Sequence, residues 1–206
     1  MSLQARLRAV RAQIATLEAG SAPARGVLPF GDVRIDAALP GGGLPLGRWH
    51  ETGGEGLEIE TAAAAGAFTA RLAAPLAERG AVVWVMRRDD LHAPGLEGLG
   101  FPGRRLIQVV VSEEAEALAA LEDALGSAGV AAAIGEAAAV DLVAGRRLQL
   151  ACEKHGATGF VIRRRPFGSA SRHEAAGTAA ATRWRIVSAP SEPAPGSPGW
   201  GRPAGG

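Results

Sequence analysis

The stretch LPGGGLPLGRWHETGGEGLEIET, residues 39–61, decides how the rest of the chain is read. It opens on a tight, irregular turn at Pro40, Gly41, Gly42, Gly43 and Pro45, passes through a short strand at residues 47–52, and reaches a second loop containing Gly53, Gly54 and Gly56. The period then changes. Residues 61–78 carry Phe68, Leu72 and Leu76 at helical spacing, and the apolar run AVVWVM at residues 81–86 has the length of a buried strand. Turn, strand, glycine loop and helix is the order in which a phosphate-binding loop places an anion on a helix N-terminus.

The alternation continues along the chain. Strands are predicted at 106–111, 129–134 and 159–163, and helices at 113–125, with Leu118, Leu121 and Leu125 on one face, and at 141–154. Ser112, Glu113 and Glu114 suit the start of the first of these helices, where carboxylates favour the dipole. A late strand at 183–187 fits a sheet edge. Strands separated by helices of ten or more residues need crossover connections, so the predicted fold is α/β, a mostly parallel sheet covered by helices.

The loop has the order of a phosphate site without its chemistry. Where glycine, lysine and a hydroxyl should follow one another, the chain has Ile59, Glu60 and Thr61. Two unit charges about 4 Å apart interact by about 4 kcal/mol at an effective dielectric near 20, so a carboxylate in place of an ammonium turns attraction for a triphosphate into repulsion. Lys154 is the only lysine in the chain, and no other segment can supply the motif. Gly54, Ile59, Glu60 and Thr61 therefore read as a degenerate phosphate loop, with no cofactor and no catalytic residue assigned. His50, His92, His155 and His173 lack metal-ligand spacing and read as structural or solvated, and no metal is expected.

Outside this region, Leu3, Leu7, Val10, Ile14 and Leu17 form one stripe of a predicted helix over residues 1–20. Such a stripe serves either to pack on its own domain or to reach a partner or a second copy across the linker at 21–26. The domain itself spans 27–188. Residues 189–206 are rich in proline and glycine and read as a flexible tail with Trp200 as its large anchor. The 206 residues carry a net charge of +1, with 47% hydrophobic and 21% charged residues, which fits one globular domain with no strong field for nucleic acid or membrane. A single cysteine, Cys152, excludes an internal disulfide and fits a reducing compartment, and no apolar run is long enough for a signal or a span, so a cytoplasmic protein is expected.

LPGGGLPLGRWHETGG with the helix after it, GAVVWVM and the later strands resemble the core of the RecA recombinases over residues 27–188. More narrowly, DLHAPGLEGLGF, RRLQLACEKHGATGFVIRRRP and TRWRIVSAPS resemble the ImuA family, the RecA-like component of a bacterial inducible mutagenesis cassette. The resemblance implies a protein that works with ImuB, an inactive Y-family polymerase relative, and a DnaE-type error-prone polymerase in translesion synthesis. In its register Arg87 or Arg88 stands where a catalytic glutamate would activate water, Asp89 reaching that place only if the register slips by one. Glu136, after its strand, stands at the magnesium-binding acid. The first DNA-binding loop is missing, since Glu136 runs almost directly into the helix at Asp141.

The polar stretch between Arg165 and Arg183 matches the second DNA-binding loop, so Arg163, Arg164, Arg165 and Arg172 are candidates for weak single-strand contact. The plainer reading of the same residues is a solvated strand end. The reading these features favour is a noncatalytic adaptor whose N-terminal stripe or tail engages a polymerase-like partner. Its rivals are a weak or partner-completed ATPase of the RecA class and an SOS-type cell-division inhibitor.

Overall fold

The computed structural model describes residues 26–55, 58–164 and 178–187, residues 58–60 in backbone only. The stripe from Leu3 to Leu17, Arg165, Arg172 and the tail lie outside the described residues, as do the side chains of Ile59 and Glu60.

A two-stranded antiparallel arch, β1 (Val27–Leu28) with β2 (Leu44–Pro45), encloses the short helix α1 (Val33–Asp36). The alternating part follows: β3 (Trp49–Gly54), α2 (Glu58–Ala73), β4 (Ala81–Met86), α3 (Ala93–Glu97), β5 (Leu106–Val110), α4 (Glu114–Leu125), β6 (Val130–Ala137), α5 (Leu142–His155), β7 (Thr158–Arg163) and β8 (Thr182–Ile186). The predicted helix at 61–78 breaks in two. It begins three residues earlier, and from Ala74 to Glu78 it tightens into a 3-10 turn, because Pro75 has no N–H to donate to a continuing α-helix. The strand expected at 129–134 extends to Ala137, which puts Glu136 inside it rather than beyond its end.

The six strands β3 to β8 form one sheet in the order β5-β4-β6-β7-β3-β8, every pair parallel, with β8 at an edge. Central parallel strands are covered on both faces and so read as continuous apolar runs, as AVVWVM does. Trp84, Met86, Ile134, Phe160 and Ile162 pack on one face against Ala65, Leu72 and Leu76 of α2 and the turn after it. Trp49, Val83, Val85 and Val161 pack on the other against Leu121 and Leu125 of α4 and Leu148 and Cys152 of α5. The arch is tied to the first face by Phe30, whose ring lies 5.1 Å from Trp184 and 6.3 Å from Phe68 between centroids.

Both long helices on the second face are capped by their sequence. The Asp141 carboxylate accepts the Ala144 amide at 2.7 Å to open α5, and Gly156, at φ 82°, closes it in the left-handed conformation. Glu116 reaches back to the amides of Ser112 and Glu113, each at 3.1 Å, to open α4. Cys152 faces the core, where burial pushes its thiol up to about 12, so it is protonated and unreactive at neutral pH.

Candidate functional site

In an all-parallel sheet the carboxyl ends of the strands lie on one side, the side on which open α/β folds bind ligands. Here that side carries two acid–arginine clusters, one on each face of the sheet.

The first lies in a cleft of about 770 Å³ above β4, β6 and β7. One wall is α2, presenting Ala62, Ala63, Gly66 and Ala67, and the other is the segment with Leu91, Leu96 and Leu99. A side chain at Gly66 would meet nothing within 4 Å, so this wall is open along the helix. Deep in the cleft Glu136, on β6, is 7% exposed. Both its oxygens are engaged: Arg164 donates to them in a fork, Nε to Oε2 and NH2 to Oε1, each at 2.9 Å, and the Trp84 indole donates to Oε1 at 3.3 Å. Asp90 adds a longer contact to Arg164 at 3.7 Å. Forked guanidinium–carboxylate bonds are among the stronger pairings available to a protein, and this one fixes both partners in one plane.

The second cluster centres on Glu51 of β3, 3% exposed. Its neighbours in the sheet supply the counter-charges. Arg163, at the end of β7, donates NH1 to Oε1 at 3.1 Å, and Arg183 of β8 donates Nε to the same oxygen at 3.1 Å. The Thr178 hydroxyl donates to Oε2 at 3.3 Å. Parallel register explains the convergence: Glu51 pairs with Arg183, and Gly53, two residues on, pairs with Arg163, whose stem lies over the bare Cα of Gly53. Arg163 Nε is buried without a hydrogen-bond partner.

The predicted site residues are therefore placed as follows. Gly54 and Thr61 meet directly: a Cβ on Gly54 would come to 2.5 Å of the Thr61 Cβ, so glycine is needed at the strand end, and Thr61 is buried beneath the helix start. Arg163 and Arg164, adjacent in sequence, point to opposite faces of the sheet and each binds a buried carboxylate, Arg163 being 7% exposed along its side chain. Arg87 donates to the Ser112 carbonyl at 3.3 Å, and Arg88 lines the cleft. Three residues separate β6 from the Asp141 cap, and the amides of Ala138 and Ala139 in that short link are held by Glu114 at 2.7 and 3.2 Å.

Glu51, Asp90 and the Trp84 indole were not singled out from the sequence, although one signal was present. Glu51 and Glu136 each sit inside an otherwise uncharged buried strand, and a charge in such a strand must be paired. His50, on the opposite side of β3 from Glu51, is structural: its ring bonds Thr182 Oγ1 through Nδ1 and the Pro45 carbonyl through Nε2, each at 2.9 Å. Among the described residues no three His, Cys, Asp or Glu side chains are grouped to hold a metal, and no helix is long and apolar enough to cross a membrane.

No protein-family model matches the chain. SulA from Pseudomonas aeruginosa, a solved structure, is 19% identical, with a TM-score of 0.48 over 56% of this chain and 96% of its own. Protein ImuA from Caulobacter vibrioides, in each of two strains, is 56% identical over 192 residues, which is 91% of this chain and 79% of the relative. At that identity over nearly its whole length, the chain belongs to the ImuA family.

Proposed function

We propose that this chain is a noncatalytic, RecA-like accessory protein of damage-induced translesion DNA synthesis in the cytoplasm, acting by binding a polymerase-like partner. Family membership supports the mutagenic setting, with an ImuB-like inactive polymerase and a DnaE-type polymerase as the partners. One observation carries the noncatalytic reading. The acid that a RecA-type enzyme would offer to magnesium corresponds to Glu136, and here its oxygens are taken by the Arg164 fork and the Trp84 indole. An internal guanidinium stands where a cation would, and ligating a metal would mean breaking a forked ion pair.

Nucleotide titration tests this directly. Calorimetry with ATP and magnesium is expected to show binding weaker than about 1 mM, equivalent to less than about 4 kcal/mol. Micromolar affinity would return the chain to the ATPases.

The partner is engaged through the Leu3, Leu7, Val10, Ile14 and Leu17 stripe, and a second measurement addresses it. Each buried apolar side chain contributes roughly 1.5–3 kcal/mol, so the triple change Leu7→Asp, Val10→Asp, Ile14→Asp removes an association of micromolar strength. Loss of ImuB co-purification with an unchanged thermal melt is the expected result; a collapsed melt would assign the stripe to the chain's own core. Contact with single-stranded DNA is weak in this reading and rests on Arg165 and Arg172, since Arg163 and Arg164 are engaged by Glu51 and Glu136.

A further inference from the structure

The two edges of the main sheet are built differently. β8 closes one edge and carries Arg183 and Arg185. β5 closes the other with Leu106, Ile107, Gln108, Val109 and Val110, a strand without charge, proline or bulge in which Ile107 is 50% and Val110 53% exposed. Natural sheets blunt the edges they do not use, and an uncharged, regular edge is a template for another strand.

The neighbouring strand fixes which backbone groups of β5 are open. The Val111 N–H donates to the Met86 carbonyl at 3.0 Å, and in a parallel ladder alternate residues bond to alternate sides. Ile107 and Val109 therefore face β4, as Val111 does. Leu106, Gln108 and Val110 turn their N–H and C=O groups outward, where among the described residues no strand meets them. Only extended backbone completes such a row. The chain's own tail is unsuited to it, since Pro190, Pro193, Pro195 and Pro198 remove the donors a strand needs.

A second β5 fits. A twofold axis normal to the sheet reverses strand direction, so the other copy arrives antiparallel, with outward residues hydrogen-bonded to outward residues. Centred on Gln108, this pairing uses all of them: Gln108 opposes Gln108, and Leu106 opposes Val110. Ile107 then stands opposite Val109. Both exposed aliphatic side chains gain an aliphatic neighbour, amide meets amide, and no charge lies within the paired strands. Beyond them Arg104 falls opposite Ser112 of the other copy, next to its Glu113, and the axis repeats this at the far end. The equivalent pairing of β8 about Trp184 would set Arg183 against Arg185 and repel.

We infer that β5 is the seam of an isologous dimer of this chain, an antiparallel pairing centred on Gln108 that joins two six-stranded sheets into one. The seam is separate from the N-terminal stripe and from the cleft, and does not rest on the function proposed above.

The test uses the full chain. Sedimentation equilibrium is expected to show a concentration-dependent species of twice the chain mass. Gln108→Lys places two ammonium groups against each other across the axis, and Gln108→Pro removes an outward donor that β4 does not use. Each is expected to give a monomer with native circular dichroism. Should Gln108→Pro unfold, Gln108→Lys decides alone. Cysteine substitution reads the register. Residues directly opposed in a hydrogen-bonded pair have Cα atoms about 5.5 Å apart, within disulfide reach, so Gln108→Cys is expected to link two chains under mild oxidation. Val110→Cys, opposite Leu106, is expected to stay unlinked, and the native Cys152 is buried and adds no background. A chain monomeric at its highest soluble concentration overturns the inference. So does a dimer that survives Gln108→Lys, or one in which Val110→Cys links as readily as Gln108→Cys.

Discussion

Glu51→Ala is expected to lower stability by about 3–5 kcal/mol, the cost of leaving a buried partner charge uncompensated. The carboxylate is 3% exposed and is the shared acceptor for Arg163 and Arg183, so truncation strands an arginine that is itself 7% exposed and already has one unbonded nitrogen. Urea unfolding of wild type and variant measures the difference as a shift in midpoint at constant slope. The paired control is Glu51→Met with Arg163→Met. Replacing both charges by apolar side chains of similar volume is expected to recover most of the loss, because well-packed apolar residues rival a buried ion pair. A single-variant loss under about 1 kcal/mol would mean that water reaches the cluster and screens it.

The second large effect follows from acid. His50 is enclosed between β3, β8 and the β2 carbonyl, and burial lowers its pKa from 6.5 to about 4. Its hydrogen bonds suit the neutral ring: Trp184 Nε1 donates to Thr182 Oγ1 at 2.7 Å, which leaves the hydroxyl proton for His50 Nδ1, while Nε2–H donates to Pro45. Above about pH 6.5 the ring is neutral in both folded and unfolded chains, and the stability is whole. As pH falls toward 4 the unfolded chain takes up a proton that the folded chain refuses, and stability drops by about 3 kcal/mol. Stability measured at pH 7.5 and at pH 4 should therefore differ by about that much more in wild type than in His50→Gln. An equal pH dependence in the two proteins would show the ring to be solvated.

The alternation of apolar runs made the sheet legible in advance, because buried parallel strands and amphipathic helices have different periods. That Ile59 and Glu60 occur where a phosphate loop would need glycine and lysine is likewise plain from the residues alone. What the sequence concealed was pairing at a distance. Three arginines in a row look like a basic patch, yet Arg163 and Arg164 are turned to opposite faces by the two-residue period of a strand and committed to Glu51 and Glu136. Their partners lie 112 and 28 residues away, and only the strand order determines that they meet.

That order also dictates when the molecule can become itself. β3 is the first strand of the main sheet to leave the ribosome, but its neighbours on either side, β7 and β8, are the last. Glu51 thus emerges about 130 residues before Arg183, an interval of roughly 7–26 s at bacterial or slower elongation rates of about 5–20 residues per second. Until Arg163 follows, 112 residues after Glu51, β3 has α2 to cover one face, through Thr69 on Thr52, but neither of its neighbours in the sheet. Pairing of β3 is in this sense deferred to the end of translation, and a chain truncated before β8 would leave β3 itself as the edge of the sheet.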